Sequence, residues 1–337
     1  MTVDPIEEPA VATTRSGVGL RGRDLRGVIA FTVLALGLGW LVALPLWLGE
    51  GLASPSFLVV SIATMATPAC AALLVVFFVE RPRWKARSLG LWPVRPVPRV
   101  LGHVLLGIAV SLALVLAALP VGALLGVYPA DFANLSGFRQ ALDERAGTGE
   151  LPLSPGTLIA VQLAALPLGA LINLVPALGE ELGWRGWLLP KLMPLGTLPA
   201  LLIMGVIWGT WHAPLVLLGY NYPDAPGWLG VTAMVGMCTL IGAVFGWLRL
   251  RSGSVWPAAF AHAAFNAAGG TYLLFARAGA HVDTTQATIL GWSGWIVPLV
   301  LVAVLLAAGQ FAPARHPATP GRDEVAAPVP GGGTGAR

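Results

Sequence analysis

The sequence predicts an all-α fold, a polytopic membrane bundle of about eight transmembrane helices. Three observations carry this. First, hydrophobic residues make up 56% of the 337 residues and charged residues only 11%, where a soluble domain carries roughly 25% charged residues. So few charges cannot build a solvated surface. Second, eight stretches contain no Asp, Glu, Lys or Arg: 27–49, 51–79, 100–130, 151–179, 192–223, 225–248, 252–276 and 284–314. Each is long enough to cross a bilayer, which takes about 20 apolar residues. Third, these runs are continuously apolar rather than alternating, which favours helices over a barrel.

Taken in order, the first run starts near Val28 behind a polar, Pro-containing tail. No small-residue cleavage site clearly follows it, so it reads as a spanning helix rather than a cleaved signal. The second and third runs flank a basic loop, 80–99, whose Arg-Pro-Arg-Trp-Lys stretch suits anionic headgroups. The fourth, from Leu151, is punctuated by Pro155 and Pro176, which leaves its ends least defined. The fifth contains His212 and the seventh His262 and Asn266. Cys70 and Cys238 fall inside predicted helices, which suits neither a disulfide framework nor a thiolate metal site. No internal repeat is visible.

This divides the chain into a disordered cytoplasmic tail (1–26), three N-terminal helices with their loops (27–150), a four-helix core (151–276), an outer loop with the eighth helix (277–314) and a second disordered tail (315–337). Basic residues collect on one side of this arrangement: Arg15, Arg21, Arg23 and Arg26; Arg81, Arg83, Lys85, Arg87, Arg95 and Arg99; Arg249 and Arg251; Arg315 and Arg322. That side is cytoplasmic by the positive-inside rule, so both termini are expected in the cytoplasm of a cell-membrane protein. The net charge of +4 follows from this topology, and no nucleic-acid partner is implied. The loop carrying Glu180, Glu181, Arg185 and Lys191 is expected to face the cytoplasm as well.

Ionisable groups at membrane depth are costly and usually functional. In G-E-E-L-G-W-R-G-W, residues 179–187, Glu181 and Arg185 have the i, i+4 spacing and polarity of an intrahelical ion pair. Glu180 lies about 100° round the helix, so one arginine cannot serve both acids equally well. The same stretch also suits an interfacial anchor, with Trp184 and Trp187 in an aromatic belt. His262 and Asn266 share a helix face, which suits either interhelical hydrogen bonding or a site. His212 alone reads as a buried structural histidine. Together, two Glu, two His and one Asn on three helices supply the parts of a hydrolytic site: a base for water, an oxyanion donor and ligands that zinc accepts. Depth opposes this, since straight helices place Glu180 near the cytoplasmic rim and His212 deeper. A tilt, a kink at Pro176 or a late helix start must bring them together.

At these residues the chain resembles the CPBP intramembrane proteases, which include CAAX prenyl endopeptidases and the bacteriocin-processing or immunity proteins of the Abi family. The motifs are E-E-L-G-W-R (Glu180 to Arg185) continuing as R-G-W-L-L-P, then W-G-T-W-H (Trp208 to His212), then H-A-A-F-N (His262 to Asn266). Their order and spacing agree over about 155–275. The departure is Trp208, where the family usually has Phe. The resemblance implies an eight-helix core and an endopeptidase acting on a peptide or membrane-protein substrate in the bilayer. It implies Glu180 activating water with help from His212, and His262 and Asn266 binding substrate or stabilising an oxyanion. Glu181, Arg185 and Trp208 then support the site. The cofactor is either zinc, on Glu180, His212 and His262, or none. Without an H-E-x-x-H motif, the metal-free form is favoured. A non-catalytic immunity or scaffold protein of the same fold is the alternative, and a proton-coupled transporter a further one, against which the missing repeats argue.

Overall fold

Within lipid a backbone N–H finds no partner except another backbone group, so each charge-free run folds as helix. The structure, a computed structural model, describes residues 20, 22–146 and 153–311. The principal helices are α1 (Gly22–Leu48), α2 (Phe57–Glu80), α3 (Val97–Leu124), α4 (Ser136–Ala146), α5 (Pro155–Glu181), α6 (Thr197–Trp211), α7 (Gly227–Ser252), α8 (Trp256–Ala268) and α9 (Ile296–Ala307). The fold is all-helical. Among the described residues the only extended pairing is a single antiparallel bridge between Ala130 and Ala276.

Five helical segments are long and apolar enough to cross a membrane: Asp24–Leu48, Phe57–Glu80, Val97–Leu124, Pro155–Leu195 and Gly227–Ser252. Two more, Thr197–Trp211 and Trp292–Ala307, are apolar but shorter. The expected eight spans are therefore not reproduced by length, although every one of the eight runs contains helix. Local chemistry explains the shortfall. α6 stops where His212 is followed by Pro214, and α8 gives way at Gly269 and Gly270.

Two boundaries differ from the sequence reading. α1 begins at Gly22, inside the stretch expected as a tail, and carries Asp24 in its first turn, where an acid complements the helix dipole. That acid is also paired across the bundle: Lys191 Nζ lies 3.0 Å from Asp24 and 2.8 Å from Glu80. The rest of the expected N-terminal tail (1–19 and 21) and all of 315–337 lie outside the described residues.

The second difference matters more. The segment 179–191 is not a loop. The chain leaves α5 through a wide, π-helical turn, Leu182–Leu188, and stays helical to Leu192. It survives there because it is glycine-lined. A Cβ on Gly179 would lie 2.8 Å from the Met65 carbonyl, on Gly183 2.6 Å from Pro68, and on Gly186 2.7 Å from the Leu89 carbonyl. Small residues thus let the turn press onto α2 and the following loop. α6 meets α7 the same way, at Gly205 on Thr239 and Gly209 on Val235. α5 meets α8 through buried Ala170, Ala177, Ala263 and Ala264.

Candidate active site

The end of α5 points both acids into the bundle. Glu180 is 2% exposed, Glu181 and Arg185 0%, and His262 4%. The i, i+4 pair forms: Arg185 Nη1 donates to Glu181 Oε1 at 2.6 Å. The other face of the guanidinium stacks on aromatic rings, 4.1 Å from the Trp208 centroid and 5.2 Å from that of Phe245. Its Nε and Nη2 find no oxygen among the described residues, so those rings and Glu181 are what compensate the buried cation. Gly242 makes room, since a Cβ there would sit 2.9 Å from Nη2.

Glu181 has a second partner that sequence spacing alone does not reveal. His262 Nδ1 lies 2.9 Å from the same Oε1. A carboxylate bound to arginine can only accept, so Nδ1 carries the proton and the neutral ring keeps its lone pair on Nε2. That Nε2 faces Glu180 Oε1 at 3.9 Å, beyond direct hydrogen bonding. The order is therefore Arg185, Glu181, His262, Glu180, with the first three hydrogen-bonded in series.

Glu180 is held from its other oxygen. Trp208 Nε1 donates to Oε2 at 2.7 Å and Trp184 Nε1 to the same atom at 3.4 Å. The resemblance marked Trp208 as a supporting residue, and the indole N–H gives it a role that phenylalanine cannot fill. Trp184 was legible only as a belt residue. It and Trp187 are instead fully buried, Trp187 stacking on Phe31 with centroids 5.0 Å apart.

His212 lies one turn beyond Trp208, at the end of α6. Its Nδ1 donates to the Trp208 carbonyl at 2.9 Å, which leaves Nε2 as the free base in the neutral ring. It is half-buried, packs edge-on against Trp211 with centroids 4.8 Å apart, and hydrogen-bonds neither carboxylate among the described residues. Asn266 is further out of register with the expected constellation. It is exposed on α8, and its carboxamide makes no hydrogen bond among the described residues. Glu180, Glu181, Arg185, Trp208 and His262 thus come together directly. His212 joins them through Trp208, and Asn266 stands apart.

α5 starts at Pro155, the chain stays helical beyond the acids to Leu192, Gly196 turns it, and α6 brings Trp208 back beside Glu180. As a zinc site the arrangement fits poorly. Among the described residues no three His, Cys, Asp or Glu side chains converge closely enough to share one ion, and His212 contacts neither Glu180 nor His262 by a hydrogen bond. Cys238 is a free, buried thiol 3.8 Å from His212 Nδ1, and Cys70 is free and exposed.

A carboxylate fixed by indoles, facing an imidazole that a second carboxylate orients, is equipment for moving a proton from water. The family model described as type II CAAX prenyl endopeptidase Rce1-like matches residues 162–268. Those residues form an Rce1-like domain. It contains both acids, Arg185, Trp208, both histidines and Asn266, and it spans α5 to α8. Its family is a protease family, and with five membrane-length apolar helices the chain is an integral membrane protein. No curated protein matches the chain significantly. A cleft between α5 and the end of α8 with the residues just after it has a volume of about 420 Å³ and is lined by Gln162, Asn173 and Thr271 among apolar residues. Along α5 and α8, the packed alanines lie between this cleft and Glu180.

Proposed function

We propose that the chain is an intramembrane endopeptidase that hydrolyses a peptide bond in a peptide or membrane-anchored protein. One observation carries the reading: inside the Rce1-like domain, Glu180 Oε1 faces the His262 Nε2 lone pair across 3.9 Å while every other polar atom of the two side chains is bound. Two acceptors at that separation attract a molecule that brings protons, and water is the one hydrolysis needs. Glu180 takes the proton as the water oxygen attacks the carbonyl carbon. His262 Nε2 accepts a hydrogen bond from the water's other proton and so holds the water against the substrate carbonyl, with Glu181 fixing the ring. The proton on Glu180 then passes to the leaving amine. His212, with Nε2 free, assists proton transfer, and exposed Asn266 binds the substrate backbone. No step draws on a metal. The basic loops favour an orientation in which both termini lie on the cytoplasmic side of the cell membrane.

A second reading, a non-catalytic scaffold or immunity protein of the same fold, draws support from the near-complete enclosure of Glu180. Purified protein in liposomes separates the two. The substrates are a prenylated C-terminal peptide, as the family description suggests, and a library of membrane-anchored peptides. Wild-type protein is expected to cleave at least one. Glu180→Gln and His262→Ala are each expected to slow cleavage by about a hundredfold or more. A folded wild-type protein that cleaves nothing supports the scaffold.

A further inference from the structure

The wide turn that carries Arg185 lacks one donor of its own. In such a turn each carbonyl accepts from the N–H five residues on. Leu189 N–H goes to the Trp184 carbonyl. The next carbonyl, that of Arg185, is due the N–H of residue 190, which is proline and has none. The α-helical substitute, Leu189, is already committed. A buried carbonyl left in this position would be free to tilt and take Arg185 with it.

The missing donor comes from another helix. Arg249, near the end of α7, donates from Nε to the Arg185 carbonyl at 3.1 Å. Its guanidinium is held against the loop after α2. Gly90, at φ +70°, is so close that a Cβ would lie 2.8 Å from Arg249 Nη2. Beside it, the Leu89 carbonyl presses on Gly186 of the wide turn. Leu89 and Gly90 therefore clasp the arginine and the turn together.

We propose that Arg249 is a positioning residue for the site: it supplies the hydrogen bond that Pro190 withholds, and so fixes the wide turn that aims Arg185 at Glu181 and, through it, His262 at Glu180. The catalytic half of this rests on the endopeptidase reading; the Arg249–Pro190 dependence does not.

The dependence gives a suppressor test. Arg249→Met removes the donor and keeps the packing. Pro190→Ala returns an N–H to the turn. In Arg249→Met, backbone amides of 182–189 are expected to exchange about tenfold faster, and kcat to fall about tenfold with KM little changed. Adding Pro190→Ala is expected to recover most of both, measured against Pro190→Ala alone. Gly90→Ala, which displaces the guanidinium, should reproduce the Arg249→Met exchange pattern. If Arg249→Met does not accumulate, Arg249→Lys, whose nitrogen sits one bond too far out, is carried through the same comparison. Unchanged exchange in the turn, or a defect that Pro190→Ala does not relieve, overturns the proposal. If wild-type protein proves inactive, the exchange measurement alone decides it, so the two failures remain distinct.

Discussion

The two ends of the bundle are built from different chemistry. At one end, around the wide turn, order depends on charges: Arg185 on Glu181 and His262 on the same oxygen are buried, and Lys191 between Asp24 and Glu80 is half-buried. At the other, where the loop 128–135 meets 275–278, order depends on backbone and short caps. Asp131 N–H donates to the Phe275 carbonyl, Arg277 N–H to that of Pro129, and the Asp131 carboxylate accepts from the N–H groups of Asn134 and Ser136. Asp283 does the same for Thr285 and Gln286. Acids within reach of water can be satisfied locally because water shares the work. Buried acids must find cations, imidazoles or indoles from distant helices, and that requirement ties the helices of the Rce1-like domain together.

The sharpest way to break this contrast is Glu181→Leu. It leaves Arg185 buried with no counter-charge, and loss of one partner from a buried pair costs about 3–5 kcal/mol. Thermal unfolding in detergent should show the loss, and an unchanged Tm would mean that the aromatic rings alone hold the guanidinium. Next comes Gly183→Ala, which drives a Cβ to within 2.6 Å of Pro68. Overpacking of this kind costs about 1–3 kcal/mol, and the same unfolding experiment reads it. Lys191→Met is expected to cost about 1 kcal/mol or less, because the pair is partly solvated; chemical denaturation of the two proteins side by side measures it. The smallest effect belongs to the opposite end. Hydrogen bonding from Ser136 and then Asn134 holds the Asp131 carboxyl below its ordinary value of 3.8. Its contribution is therefore complete above that ordinary value and is lost as pH falls through the lowered one. Amide exchange in 131–139 should accelerate only in that acid window in wild-type protein, and Asp131→Asn should abolish the pH step.

Much of the bundle was legible because lipid makes hydropathy decisive: each apolar run holds a helix. The Glu181–Arg185 pair was legible from spacing alone, since one helix turn contains both partners. What escaped depends on separations no local pattern encodes. Charges at 180–191 read as a loop because a charge usually ends a membrane helix; here partners from five other helices let the helix continue. Trp184 read as a belt residue because an indole at an interface and an indole bound to a carboxylate have the same sequence. His262 on Glu181 spans 81 residues and could be placed beside the acids only by resemblance. Arg249 read simply as a topogenic charge, although Pro190, five residues after Arg185, was a signal that a donor would be needed. Asn266, chosen for its spacing from His262, shares that face but lies a turn further out, where the bundle no longer covers it.

The central claim is that the two adjacent acids are divided, Glu181 for structure and Glu180 for reaction. The most direct measurement is the initial rate of peptide cleavage by wild-type protein and Glu180→Gln in liposomes, paired with the Tm of each. The division predicts that Glu180→Gln unfolds within a few degrees of wild type while its rate falls by about a hundredfold or more. A Glu180→Gln protein that cleaves at the wild-type rate would contradict it.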